Sequence, residues 1–192
     1  RGLGDVYKRQ VCNLPNRIAH SHKGTFGRVV VIAGCDTMSG ACFLSAKAAY
    51  RMGAGLVHVV STPSNRDTLL SALPEMLFST REEIKKVLPL ASAVVIGPGI
   101  GLSKQSEELV DYVLANTKVP TVVDGDAITI CAKKDIVFRD NFVLTPHVKE
   151  MSVLTGIPIP KLQEDILGTT KNTAKTRNCI PVSYTHLRAH ET

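Results

Sequence analysis

Apolar and polar positions along this chain follow two periods. Short β-branched runs, each stopped by glycine or polar residues, alternate with longer segments in which apolar residues recur every three or four positions. The short runs predict strands over Arg28 to Ala33, Leu56 to Ser61, Met76 to Ser79, Ala93 to Ile96, Val119 to Val123 and Phe142 to Leu144. The longer ones predict helices over Gly40 to Met52, Pro63 to Leu73, Arg81 to Leu88, Ser103 to Asn116, Ala127 to Lys133, Val148 to Thr155 and Ile159 to Arg177, with Ser103 as an N-cap. In Gly40 to Met52, the residues Ala41, Leu44, Ala48 and Met52 share one face, and the other faces are small or apolar too. That pattern predicts a central helix packed closely on a sheet and covered again outside. Regular strand and helix alternation predicts an α/β fold, a mostly parallel sheet with helices on both faces.

In such a sheet every strand ends on the same edge, and ligands bind in the crevice outside it. Four strand-to-helix corners should therefore meet. After the first strand, Gly34 to Gly40 leads into Ala41 at a helix N-terminus, where unpaired amides favour an anion; a tightly packed helix start is the alternative. Gly97-Pro98-Gly99-Ile100-Gly101 combines three glycines with a proline, an open loop whose amides suit ligand contact. Asp124 and Asp126 follow the next strand; Asp126 reads as an N-cap and Asp124 as the better candidate to orient a hydroxyl. His147 and Glu150 stand three residues apart on a first helical turn, either as site residues or as a structural histidine and a capping carboxylate. Ahead of the first strand, His22-Lys23-Gly24-Thr25-Phe26-Gly27 offers Lys23 and glycine amides to an anion, or is an ordinary loop.

Composition narrows the classes. The 192 residues are 44% hydrophobic and 21% charged, enough for one folded domain with its own core. No apolar run has the roughly 20 residues of a spanning helix, and Arg1 to Gln10 lacks a signal-peptide core, so no membrane association and a cytoplasmic location are expected. A net charge of +6 raises nucleic acid as a partner, but the basic residues are scattered and aromatics make up only 5%; a phosphate-bearing small molecule suits this balance better. Five cysteines without a CxxC pair are expected to be free thiols. Residues 1–10 and 181–192 resemble translated adaptor read-through and are expected to pack against nothing specific, which leaves 11–180 as the domain and gives His186 and His190 no weight as metal ligands.

Taken in order, His22-Lys23-Gly24-Thr25-Phe26-Gly27-Arg28, Val31-Ile32-Ala33-Gly34, Ser39-Gly40-Ala41, Gly53-Ala54-Gly55-Leu56-Val57, Leu73-Pro74-Glu75, Ile96-Gly97-Pro98-Gly99-Ile100-Gly101, Val123-Asp124-Gly125-Asp126-Ala127 and Leu144-Thr145-Pro146-His147 with Glu150-Met151 resemble the ADP/ATP-dependent NAD(P)H-hydrate dehydratases of the ribokinase-like superfamily. The resemblance spans about Leu14 to Ile180. It implies a ribokinase-like fold and phosphorylation of the ring hydroxyl of hydrated NADH or NADPH by ADP or ATP with Mg²⁺, followed by loss of phosphate. It also implies substrate contacts at Ala41, Gly99, Gly101, Asp124 and His147, a nucleotide contact at Lys23, and Glu150 near the metal. The family's Asp-Ala-Asp-Ala-Leu-Asn reads Asp124-Gly125-Asp126-Ala127-Ile128-Thr129 here. Its Lys-Gly strand segment and its Gly-Ser-Gly-Asp loop with the catalytic Asp have no counterpart, so the C-terminal part of the fold is expected to be missing, and the fragment inactive, with no catalytic residue of its own. A homo-oligomer and an upstream epimerase domain stay open. The alternatives are a ribokinase-like kinase for a vitamin-precursor alcohol and a non-catalytic nucleotide-sensing domain.

Overall fold

The computed structural model describes residues 23–183. Seven strands form one sheet: β1 (Arg28–Ile32), β2 (Leu56–Ser61), β3 (Leu77–Thr80), β4 (Ala93–Ile96), β5 (Thr121–Val123), β6 (Phe142–Leu144) and β7 (Ile180–Pro181). Their order is β3-β2-β1-β4-β5-β6-β7, and every pairing is parallel. The helices are α1 (Ser39–Arg51), α2 (Arg66–Ala72), α3 (Ile84–Val87), α4 (Lys104–Asn116), α5 (Asp126–Lys133), α6 (Val148–Thr155), α7 (Ile159–Glu164) and α8 (Ile166–Arg177). From β1 the chain moves outward through β2 and β3, then returns to the other side of β1 for β4 to β7. The order therefore reverses between β1 and β4, and right-handed crossovers send the two sets of helices to opposite faces.

Alternating strand residues feed two cores. Val31, Val57 and Val59 meet Cys42 and Ala46 of α1 and Leu69 of α2 on one face. Val30, Ile32, Val94, Ile96, Val123, Phe142 and Leu144 meet Val110, Val113, Ile130, Met151 and Leu154 on the other. Ser103 caps α4 as expected, its hydroxyl accepting from the Ser106 amide.

Four local expectations change. The stretch Arg81 to Leu88 is helical but not one α-helix: a 3₁₀ turn (Arg81–Glu83), the single turn of α3, and a second 3₁₀ turn (Leu88–Leu90) that takes Pro89 in its first turn. The long C-terminal helix breaks at Asp165, which closes α7 and caps α8 by accepting from the Gly168 amide. The stripe Ala41, Leu44, Ala48 and Met52 does not meet the sheet: α1 packs through Cys42 and Ala46, and Leu44 and Met52 are 65% and 82% exposed. Ala48 and Met52 of that stripe border an apolar groove of about 700 Å³, floored by Val29, Val95, Val122 and Val143, so among the described residues helical cover on this face stops short of β4 to β6. Finally, the sheet runs past Ile180. Pro181 pairs with Leu144, and the Val182 amide donates to the Leu144 carbonyl, which places the edge of the domain slightly beyond the expected 11–180. Residues 1–22 and 184–192, with His186 and His190, lie outside the described residues.

Candidate functional site

The four corners after β1, β4, β5 and β6 lie side by side because those strands are neighbours and run the same way. Contacts between the corners are direct. The Gly34 amide donates to the Pro98 carbonyl at 2.9 Å, bridging the first two. Gly97, at φ +120°, sits so close to the β5 corner that an added Cβ would fall 1.8 Å from the Asp124 carbonyl oxygen. Thr145 Oγ1 donates to Asp124 Oδ1 at 2.8 Å, joining the β5 and β6 corners. Helix α1 begins without a side-chain cap at Met38, and its Ala41 lies against Gly99: a Cβ on Gly99 would stand 3.0 Å from those of Ala41 and Met38. Ala41, Gly99, Gly101, Asp124, His147 and Glu150 thus belong to one edge, as expected.

The glycine loop is less open than its sequence suggests. The Gly97 amide donates to Ile32, the Ile100 amide to Gly97 and the Gly101 amide to Asp126 Oδ2. Only the Gly99 amide has no partner among the described residues, and Gly99 is buried. It is therefore the one amide of the loop left for a ligand to meet. Asp126 is not the N-cap of α5; Gly125 holds that place, and the Asp126 carboxylate is spent on Gly101.

His147 and Glu150 form a reciprocal cap for α6. The Glu150 amide donates to His147 Nδ1, the His147 amide donates to Glu150 Oε2, and His147 Nε2 lies 3.2 Å from Glu150 Oε1. Nδ1 accepts, so the ring proton is on Nε2. The capping alternative is therefore realised for both residues, with the ring 37% and the carboxylate 13% exposed. Burial pushes the Glu150 carboxyl above its ordinary range; Asp124 and Asp126 push the same way, against the pull of His147. Among the described residues no group of three or more His, Cys, Asp or Glu is arranged to hold a metal ion.

Lys23 is elsewhere. Its 3₁₀ turn (Lys23–Phe26) packs where Gly55 leads into β2, at the amino-terminal edge of the sheet, and the side chain is exposed. Sequence reading also passed over Arg81, whose guanidinium donates to the carbonyls of Gly34 at 2.7 Å and Ile100 at 2.9 Å and to Ser106 Oγ at 3.2 Å. Nothing local in the charged stretch around it signals that role. The cysteines among the described residues are unpaired, as expected.

A family model described as NAD(P)H-hydrate dehydratase matches residues 29–183, most of the chain and all four corners. The chain belongs to this family. It is 38% identical over 155 residues to the bifunctional NAD(P)H-hydrate repair enzyme of Coxiella burnetii, covering 79% of this chain and 31% of that protein. It is 40% identical over 155 residues to the ADP-dependent (S)-NAD(P)H-hydrate dehydratase of Streptococcus pneumoniae, covering 78% and 53%. Among solved structures, a ribokinase-like superfamily protein from Enterococcus faecalis superposes with TM-score 0.83 at 29% identity, over 89% of this chain and 62% of that one. The ADP/ATP-dependent NAD(P)H-hydrate dehydratase of Bacillus subtilis, co-crystallised with ATP/Mg²⁺, superposes with TM-score 0.78 at 28% identity, over the same 89% and 62%. The fold is ribokinase-like, and the chain spans about half the length of the ADP-dependent relative, or 53%. No described helix is long and apolar enough to cross a membrane.

Proposed function

We propose that this chain carries the hydrate-binding part of an NAD(P)H-hydrate dehydratase, an enzyme that phosphorylates the ring hydroxyl of hydrated NADH or NADPH from ADP or ATP and then eliminates phosphate. The supporting observation is the switch-point crevice: an unpartnered amide at Gly99 and an uncapped helix start at Ala41 on one side, a carboxylate group on the other. The first half suits the phosphates of a dinucleotide. The second suits a hydroxyl-bearing ring, with Asp124 held by Thr145 as acceptor and the His147 ring edge beside it.

Glu150 would contribute a carboxylate to Mg²⁺, an ion usually held by one or two carboxylates plus phosphate oxygens. When bound, that ion neutralises charge on the transferring phosphoryl group. The chain's own residues bind and orient: Gly99, Gly101 and Ala41 through the backbone, Asp124 and His147 through side chains. None of the described residues is assigned as the base that takes the hydroxyl proton. Lys23 does not share the crevice, so any nucleotide contact it makes is separate from the hydrate. The bifunctional relative supports a second activity in the same polypeptide, for which an upstream epimerase domain is the proposal.

The test uses a longer protein that contains this chain together with the remaining length of its relatives. It is incubated with hydrated NADH, Mg²⁺ and either ADP or ATP, and dihydronicotinamide absorbance is followed. Recovery with one donor, lost in Asp124→Ala, supports the proposal. No recovery with either donor, alongside phosphorylation of a pyrimidine or thiazole alcohol, would replace it by the kinase reading.

A further inference from the structure

The loop around Gly99 is held through its peptide planes. In a trans peptide the carbonyl oxygen and the amide hydrogen point in opposite directions, so fixing one fixes the other. The Pro98 carbonyl accepts from Gly34, which turns the Gly99 amide of the same plane away from the β1 corner and leaves it unpaired. The next-but-one plane is clamped on both sides. Ile100 oxygen accepts from Arg81 at 2.9 Å and from Ser106 Oγ at 2.8 Å, while the Gly101 amide donates to Asp126 at 2.8 Å.

Arg81 holds the second plane directly and reaches the first through Gly34, whose amide bonds the Pro98 carbonyl. One terminal nitrogen donates to the carbonyls of both Gly34 and Ile100, and the other donates to Ser106. The side chain reaches there from the end of β3, the outermost strand on its side of the sheet. No carboxylate pairs with it directly among the described residues, and its Nε is buried without a partner. Burial works against its charge, and Cys35, Asp36 and Glu82 support it. Even a half-buried guanidinium carries a desolvation cost, and a neutral hydrogen-bonding residue would have sufficed for a turn.

We propose that Arg81 is a positioning residue that sets the direction of the Gly99 amide and, with its charge, makes this half of the crevice the seat of a phosphoryl group of the dinucleotide. The dinucleotide part rests on the function proposed above. Met38, whose Cε would stand 3.4 Å from a Cβ on Gly99, borders this position. A lysine at position 81 would keep the charge but not the planar fork that serves two carbonyls and a hydroxyl at once.

The experiment is amide NMR on the full chain and on Arg81→Met, Arg81→Lys and Ser106→Ala. In Arg81→Met the Gly99 resonance should move, and the Gly34 and Gly101 amides should exchange on the order of ten times faster. The Gly156 amide, bonded to Ser152 in α6, should be unchanged. Titration with NADPH and with inorganic pyrophosphate should shift Gly99 in the parent chain. Loss of a charge-assisted contact should weaken both ligands about tenfold or more in Arg81→Met, with partial recovery in Arg81→Lys. Faster exchange at Gly156 to the same extent as at Gly34, or an unmoved Gly99 resonance, would reduce Arg81 to a structural role and overturn the proposal. If Arg81→Met does not fold, Ser106→Ala decides: it removes one donor to Ile100, and an unchanged Gly99 resonance there refutes the clamp. Should the parent chain bind neither probe, the dinucleotide reading falls, and the exchange data still decide the positioning role.

Discussion

Gly97→Ala tests whether the β4 and β5 corners form one rigid wall of the crevice. The new Cβ would meet the Asp124 carbonyl oxygen at 1.8 Å and the Ala127 Cβ at 2.6 Å, and the residue would keep a φ of +120° that L-residues rarely adopt. Strain at such a backbone costs about 1–3 kcal/mol. Overpacking against backbone adds about 1–3 kcal/mol. The expected loss is therefore about 2–6 kcal/mol, against a total stability of about 5–15 kcal/mol for a typical domain. At roughly 2–4 °C per kcal/mol for a chain this long, the melting temperature should fall by at least about 4 °C, and the fold itself is at risk at the upper end. Two comparisons separate the causes. Gly156→Ala has a φ of +71° but open space within 4 Å, so it should show only the left-handed backbone cost of about 1–2 kcal/mol. Gly40→Ala has neither obstacle and should be neutral or gain up to about 1 kcal/mol. Urea unfolding followed by far-UV circular dichroism, with unchanged m-values, ranks the three. If Gly97→Ala is no worse than Gly156→Ala, the corners are not in the close contact described, and the rigid-wall argument is wrong.

Further outcomes follow from burial and charge. Glu150 has a folded-state pKa raised above the ordinary 4.5, so the folded chain binds more protons than the unfolded one between the two values. Its charge destabilises above that window, the penalty shrinks as pH falls through it, and none remains below both values. Glu150→Gln, which can still accept from His147, should therefore be more stable than the parent near neutral pH and lose that advantage below about pH 4.5; a pH series of melting temperatures with a constant offset would contradict this. Burial pushes the Cys42 and Cys131 thiols up to about 12 and Cys179 to about 11, so iodoacetamide at pH 8 should label half-exposed Cys35 first among these four, as read by peptide mass spectrometry. The apolar groove, uncovered among the described residues, should bind a hydrophobic dye, and Met52→Lys should weaken that signal with a stability change within about 0.5 kcal/mol, because the Met52 side chain lines the groove yet is exposed. An unchanged dye signal would mean that the groove is closed in solution.

The sequence by itself determined the elements and the edge that collects the chemistry. Strand and helix periods are local signals, and parallel strands must all end on one side, so Gly99, Asp124 and His147 could be placed together without coordinates. It could not choose between roles at a corner, because a cap and a ligand contact use the same residue types. Only the fold showed that His147 and Glu150 cap each other, and that Asp126 holds Gly101 while Gly125 begins the helix. Helix α1 carries apolar residues on several faces, so its pattern had no unique inward side; packing through Cys42 and Ala46 selected one and left Leu44 and Met52 outside. Lys23 entered through the same family resemblance as the site residues, yet it precedes β1, so the parallel sheet carries it to the opposite edge. Arg81 was the least legible, because its acceptors lie 47 and 19 residues away in sequence. A long side chain that crosses the end of a sheet to reach carbonyls leaves no periodic trace, since the carbonyl belongs to every residue and only the tertiary structure decides which ones it meets.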